Sequence, residues 1–321
     1  MKFGKLPGIN KPISRLVQGT VMLSSYDQET TNKLLDAVVT AGINTFDTAH
    51  GYGMGQCERA VGAWLNERGN REELVILGKG AHPYDGRVRV TPEDITSDIA
   101  ESLERLQTDY IDLYVLHRDD VAVPIGPLMD VLNDHLKKGV IKAIGGSNWT
   151  TARLAEANAY AAANGLTPMQ VSSPNFSLAE QSKEPWDGCT TISGPQYAAD
   201  RAWYAEQKMP LFTWSSLAGG FFSGRFRPDN LDSFENYFDK LCAEVYCYGD
   251  NWGRLDRAKE LAARKGASLA QIAIAYVLNQ PFETYALVAA WKPEEAADSV
   301  KAAEIELTAE EIAWLEKGVK A

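Results

Sequence analysis

Eight times along this chain a short apolar run is followed by a segment with helical spacing, and no Pro/Ser-rich linker or composition break interrupts the alternation. The runs are Arg15–Thr20, Ile43–Phe46, Glu73–Gly78, Tyr110–Leu116, Ile141–Ile144, Pro168–Val171, Leu211–Trp214 and Tyr285–Ala289. Their length and their β-branched and aromatic content predict strands. Between and after them, helices are predicted over Gln28–Thr40, Gly55–Arg68, Pro92–Leu106, Pro127–Lys138, Thr150–Ala163, Tyr197–Gln207, Ser268–Leu278, Pro293–Ala302 and Thr308–Lys317. Eight such units in 321 residues point to an α/β fold, a closed parallel (β/α)8 (TIM) barrel rather than an open sheet. The expectation is a single barrel domain over 1–321. Phe3–Ile13 forms an N-terminal hairpin or lid in this reading, and long loops cover Ser172–Gln196 and Ser215–Trp252.

The totals narrow the function classes. A formal charge of −11 without a long basic run argues against nucleic acid or an anionic membrane as partner. Met1–Leu16 lacks the apolar core of a signal peptide, and no run approaches a membrane span. Cys57, Cys189, Cys242 and Cys247 show no framework spacing, which suggests reduced thiols in a cytoplasmic protein. Cys242 and Cys247 lack the further ligands that a structural zinc needs. A Rossmann domain is disfavoured, because Gln56 stands where the last glycine of a G-x-G-x-x-G motif belongs.

Polar residues end three successive strands. Asp47 closes the second, with Tyr52 in the glycine-bracketed turn beyond it; Lys79 ends the third and His117 the fourth. Alone, each reads as a cap or a solvated group. Together, at the face where barrels keep their chemistry, they suit proton donation to a carbonyl oxygen. The expectation is that Lys79 lowers the Tyr52 pKa, that Asp47 keeps Lys79 charged and placed, and that His117 orients the carbonyl. His50 reads as part of a turn.

The runs F-D-T-A-H-G-Y-G (Phe46–Gly53), G-Q-C-E-R-A-V-G (Gly55–Gly62), D-L-Y-V-L-H (Asp112–His117) and G-V-I-K-A-I-G-G-S-N (Gly139–Asn148), with Lys79, resemble the aldo-keto reductase superfamily over nearly the whole chain. The resemblance implies a nicotinamide cofactor bound without a Rossmann domain. It implies a catalytic tetrad of Asp47, Tyr52, Lys79 and His117, with Tyr52 as general acid in NAD(P)-dependent reduction of an aldehyde or ketone, or the reverse. By the same route Ser147, Asn148 and Gln170 would hold the carboxamide, and Trp214 would stack on the nicotinamide ring. The run containing Ser215, Leu217, Gly220, Ser223 and Arg225 would clasp the pyrophosphate, with Gly19 and Thr20 lining the cleft beside Asp47.

The chain departs from the family pattern at the adenosine end. Glu295 falls where an Arg commonly meets a 2′-phosphate, Ser299 where an Asn contacts adenine, and Lys292 lies between strand and helix. Glu295 favours NAD(H); Lys292 and the family habit favour NADP(H), which is the expected cofactor, with NAD(H) second. The substrate is expected to be a small-molecule carbonyl, a sugar or an aromatic aldehyde. Trp149, Trp186, Tyr246, Tyr248 and Trp252 are the candidate aromatic walls, though Trp186 and Trp252 equally suit anchors for their own loops. The alternative function is a dinucleotide-binding, redox-sensing subunit with negligible turnover. A phosphate-binding barrel of other chemistry is disfavoured, and the sequence does not set the oligomeric state.

Overall fold

In the computed structural model, which describes residues 1–84 and 86–318, eight parallel strands close into a barrel. A hairpin of β1 (Phe3–Leu6) and β2 (Ile9–Ser14) comes first. The barrel strands are β3 (Leu16–Gly19), β4 (Thr45–Asp47), β5 (Val75–Gly80), β6 (Ile111–Leu116), β7 (Ile141–Ser147), β8 (Val171–Ser173), β9 (Leu211–Thr213) and β10 (Thr284–Val288). They neighbour one another in chain order, and β10 pairs with both β9 and β3 to close the ring. This is the (β/α)8 fold that the alternation predicts.

The connecting helices are α1 (Gln28–Thr40), α2 (Gln56–Arg68), α3 (Pro92–Leu106), α4 (Ile125–Lys138), α5 (Thr151–Asn164) and α6 (Ala198–Gln207). After β9 come α7 (Tyr237–Tyr246), α8 (Asn251–Lys265) and α9 (Leu269–Leu278), and after β10 come α10 (Pro293–Ser299) and α11 (Ala309–Lys317). Local chemistry sets several starts. Thr91 caps α3 by accepting from the Asp94 N–H, ahead of Pro92. Reciprocal Ser268/Gln271 and Thr308/Glu311 boxes open α9 and α11.

The expected long loop over Ser215–Trp252 holds only in its first half. Asn236 caps α7 through the Asp239 N–H, and Cys242, Val245 and Tyr246 form its buried face. α8 likewise buries Leu255, Ala258, Leu261 and Ala262 at helical spacing beneath a charged exterior. Of the 172–196 segment, Ser172 and Ser173 complete β8 and the rest is a loop apart from a short turn at Pro195–Tyr197.

Two apolar cores result. Val17, Val75, Leu77, Leu113, Val115, Ala143, Val171, Phe212, Tyr285 and Leu287 fill the barrel, and Leu6, Ile9 and Ile13 of the hairpin plug its lower end. The larger core lies between barrel and helices. Close helix packing needs one glycine in particular: a Cβ on Gly62 would stand 2.2 Å from the Arg105 carbonyl, so α2 rests directly on the end of α3.

Strand alternation decides what reaches the upper end. Val75 and Leu77 face inward on β5, so Lys79 does too; Leu113 and Val115 put His117 on the same stripe. By the same count Ser147 follows Ala143, Ser173 follows Val171, and Trp214 follows Phe212.

Candidate active site

The polar ends of β4, β5 and β6 meet because these strands are hydrogen-bonded neighbours. Asp47 pairs with Leu77 and Lys79 with Val115. Past the strands, Thr48 N donates to Leu77 O, His50 N to Lys79 O and His117 N to Gly80 O. Tyr52 N then closes a turn on Ala49 O, and Gly53, Met54 and Gly55 follow in the left-handed region. That turn returns the Tyr52 side chain over the barrel mouth.

Lys79 is the hub. Its Nζ lies 2.6 Å from Asp47 Oδ2, donates to Thr48 O at 3.0 Å, and meets the Tyr52 hydroxyl at 3.3 Å. Lys79 and Asp47 are both buried. Tyr52 and His117 approach edge to face with ring centroids 5.7 Å apart, and His82 packs on the other side of His117 at 4.8 Å.

Burial alone would lower the Lys79 pKa, but Asp47 and Tyr52 outweigh it and leave the ammonium above its usual range. Burial pushes Asp47 up, against the pull of Lys79. Burial also raises the Tyr52 phenol, and Lys79 only partly offsets this. The expected acidification of Tyr52 is thus not its net state here; the sequence does not carry the desolvation that overrides it. The consequence is a phenol fully protonated at neutral pH, held against a cation that would stabilise the phenolate once formed. Burial, with the charges of Lys79 and Arg118 and the neighbouring His82, drives His117 well below the imidazole range, so it is neutral, and its Nδ1 has no partner.

Other sequence-selected residues divide into those at the mouth and those elsewhere. Ser147 and Asn148 are at the mouth and buried, but engaged with protein. Ser147 Oγ donates to Ser173 O at 2.9 Å. Asn148 Nδ2 donates to His117 O, and its Oδ1 accepts from Thr190 N and the Trp214 indole N–H. Gly19 ends β3 at this mouth, and the adjoining Thr20 is buried with an unpartnered hydroxyl.

Gln170 is not at the mouth. It precedes β8, on the opposite parity from Val171, where its side chain donates to Pro7 O of the hairpin at 2.8 Å and accepts from Ile144 N. The residue that reaches the mouth from β8 is Ser173, whose buried hydroxyl has no partner. Counting by twos from Val171 would have found it.

The loop after β9 alternates burial in a telling way. Ser216, Ala218, Phe221 and Phe222 are buried, whereas Ser215, Leu217, Gly220, Ser223 and Arg225 remain half-buried or exposed. Ser215, Ala218, Gly219 and Gly220 all have positive φ. Arg225 does not present a free charge to this loop: it is paired with Asp239 of α7, with one N–H to Asp239 Oδ2 at 3.1 Å. At the far side, Lys292 is exposed. Glu295 bends back so that Oε2 accepts from Trp291 N at 2.8 Å, and Ser299 is buried on α10.

The aromatic candidates also separate. Trp149 is core, its indole N–H bonded to Arg118 O. Tyr246 is buried and accepts from Asn175 and Gln181; Trp252 packs edge-on to Phe221; Tyr248 is exposed. Trp186 alone reaches the site, 6.2 Å from Trp214, with its N–H bonded to Tyr237. The sequence reading missed His82, Arg118 and Asn175. The last is a buried hub tying 190–193 to Trp214 and Tyr246.

Two features mark this end of the barrel as a binding site. Among the described residues, unpartnered buried polar atoms include Thr20 Oγ1, Thr48 Oγ1, His117 Nδ1 and Ser173 Oγ, at or just beyond the strand ends, and Thr190 Oγ1 in the loop after β8, whose N–H bonds Asn148. Non-glycine residues with left-handed backbone also gather here (Met54, Ala81, Asn148, Ser215 and Ala218), while Gln107 and Lys208 merely cap helices. Open hydroxyls beside a small-residue loop with an accessible backbone fit a dinucleotide. Among the described residues there is no grouping of His, Cys, Asp and Glu that would hold a metal ion.

Comparison with known proteins agrees with this geometry. A sequence model of the aldo/keto reductase family matches residues 15–319. The chain is 30% identical to aldo-keto reductase YhdN of Bacillus subtilis over 86% of this chain and 79% of that protein. It is 27% identical to a probable voltage-gated potassium channel subunit beta of Oryza sativa (87% and 83%), and 28% identical to norsolorinic acid reductase of Aspergillus flavus (91% and 72%). The thermostable aldo-keto reductase Tm1743, solved with the inhibitor epalrestat, superposes with a TM-score of 0.74 at 21% identity, covering 98% of this chain and 99% of that one.

Proposed function

The chain belongs to the aldo-keto reductase family, and from that premise we propose that it is an NAD(P)-dependent oxidoreductase that reduces an aldehyde or ketone to an alcohol, or runs the reverse. The observation carrying this reading is Lys79 Nζ, placed between Asp47 at 2.6 Å and the Tyr52 hydroxyl at 3.3 Å beside a neutral His117. A dinucleotide held at this mouth would supply the hydride that the carbonyl carbon needs. Tyr52 gives its proton to the carbonyl oxygen, Lys79 stabilises the phenolate left behind, and His117 orients that oxygen by a hydrogen bond. In this reading Ser147, Asn148 and Ser173 would meet the carboxamide, Trp214 the nicotinamide ring, and the Ser215–Ser223 backbone the pyrophosphate. We read residues 1–321 as one barrel unit. Four free, buried cysteines suit the cytoplasm, and among the described residues no helix is long and apolar enough to cross a membrane.

The test is loss of reduced-nicotinamide absorbance with a panel of aldehydes, aromatic and sugar. Similarity to the channel subunit favours the second reading, a dinucleotide-binding sensor. Tight binding of the dinucleotide with no turnover across the panel would select it.

Reductive kcat is expected to stay level over roughly pH 6–9 and to fall only at the alkaline end, because His117 is already neutral and Tyr52 keeps its proton. An acid limb with a midpoint near ~6.5 in the kcat profile would show His117 titrating as an ordinary imidazole.

For the cofactor, Lys292 and the family habit favour NADP(H), and Glu295, the residue that favours NAD(H), is exposed. Its carboxylate accepts from Trp291 N at 2.8 Å at the N-terminus of α10, with Lys292 exposed beside it. We propose NADP(H) as the cofactor, with NAD(H) second. Glu295→Gln keeps an acceptor for Trp291 N and removes the charge; it should tighten NADPH about tenfold relative to NADH in a tryptophan-quenching titration. An unchanged ratio would place the phosphate elsewhere.

A further inference from the structure

Arg118 follows His117 and is 6% exposed. Its guanidinium donates to three neutral acceptors: His117 O at 2.9 Å, Asp187 O at 3.1 Å and Cys189 Sγ at 3.3 Å. Among the described residues no carboxylate pairs with it. Asp119 is taken by Arg153, Glu184 accepts from Gly188 N, and Asp187 offers only its backbone carbonyl. A buried cation without a counter-ion is costly and is ordinarily paired.

The catalytic residues offer Arg118 no counter-charge. Asp47 and Lys79 compensate one another, while His117 and His82 are both held below the imidazole range and stay neutral. Arg118 thus adds a positive charge that acts on the Tyr52 phenol and both imidazoles, while the Glu184 and Asp187 carboxylates lie near Cys189 without bonding the guanidinium. Thr190, whose hydroxyl is unpartnered, follows the Asp187–Cys189 segment that holds Arg118, and that segment continues from Trp186, which borders Trp214.

We propose that Arg118 is an anion subsite of the reaction pocket, so that the preferred substrate is a carbonyl compound that also carries a carboxylate. This rests on the reductase reading above and narrows its substrate class. The two remaining guanidinium N–H groups and the Thr190 hydroxyl would receive the carboxylate, while the carbonyl of the same molecule lies against Tyr52 and His117.

The test pairs para-carboxybenzaldehyde with its methyl ester, which has the same ring and aldehyde without the charge. The expected result is a kcat/KM about 10- to 100-fold higher for the acid, as a hydrogen bond to a charged group supplies. Arg118→Gln should bring the ratio close to one, and Arg118→Lys should retain part of it. A merely structural role for Arg118 would lower both substrates together and leave their ratio intact, which would overturn the proposal. If the Gln variant does not fold, the acid-to-ester ratio of the parent enzyme still decides: a ratio near one overturns the subsite. Binding of para-(hydroxymethyl)benzoate against its methyl ester, followed by tryptophan fluorescence, needs no turnover. Discrimination in binding without reduction of either aldehyde would uphold the anion subsite and remove the reductase reading; reduction without discrimination would do the opposite.

Discussion

Tyr52→Phe should lower kcat by about 10²–10⁴-fold, the range that a positioned general acid contributes, and leave dinucleotide affinity nearly unchanged. The substitution is narrow in this site. Phe keeps the ring that meets His117 edge to face and over which Lys79 Nζ stands at 4.8 Å. It removes only the hydroxyl that Lys79 meets at 3.3 Å. The residues proposed to hold the dinucleotide come from β3, β7, β8 and the loop after β9, and none of them hydrogen-bonds this hydroxyl. Steady-state turnover with an aldehyde, together with fluorescence titration of the dinucleotide, separates the two effects. A variant with the parent's kcat would assign the proton to another donor. A variant that loses both turnover and binding would show the turn after β4 collapsing rather than losing an acid.

Much of this arrangement is legible in the sequence because strand parity is simple. Asp47, Lys79 and His117 each end an apolar run, and the inward stripes of Val75–Leu77 and Leu113–Val115 carry the last two to the mouth. The helix starts are legible for the same local reason, in caps such as Thr91 and Thr308. Gln170 misleads because β8 is built from Val171, Ser172 and Ser173, residues that read as the opening of a loop. Pairing with Gly145 to Ser147 on one side and Leu211 on the other makes that stretch a strand, and no propensity of its own announces it. α8 is hidden by its charged exterior, and α7 by the aromatic stretch in which it lies. The Tyr52 pKa and the unpaired charge of Arg118 depend on burial and on which acids are already engaged. Those are properties of the packed molecule, beyond the reach of residue order.

Lys79→Met should be the most damaging substitution in the chain, and for two separable reasons. Lys79 and Asp47 are each 3% exposed at the side chain, and the ammonium is the one partner that Asp47 Oδ2 has among the described residues. Met fills much of the lysine stem's volume but leaves a carboxylate buried without a counter-ion, a change that typically costs about 3–5 kcal/mol. Asp47 offsets part of this by taking up a proton, in the direction in which burial already pushes it. The double variant Asp47→Asn/Lys79→Met removes both charges, so most of the stability should return, and the two substitutions should be strongly non-additive. Turnover should not return with it, since no ammonium then contacts the Tyr52 hydroxyl to stabilise a phenolate. Denaturant midpoints and kcat on the three proteins carry the comparison. A single variant as stable as the parent would mean that the pair is solvated rather than buried. A double variant that regained activity would mean that Lys79 holds the fold of the mouth together and takes no part in the proton transfer.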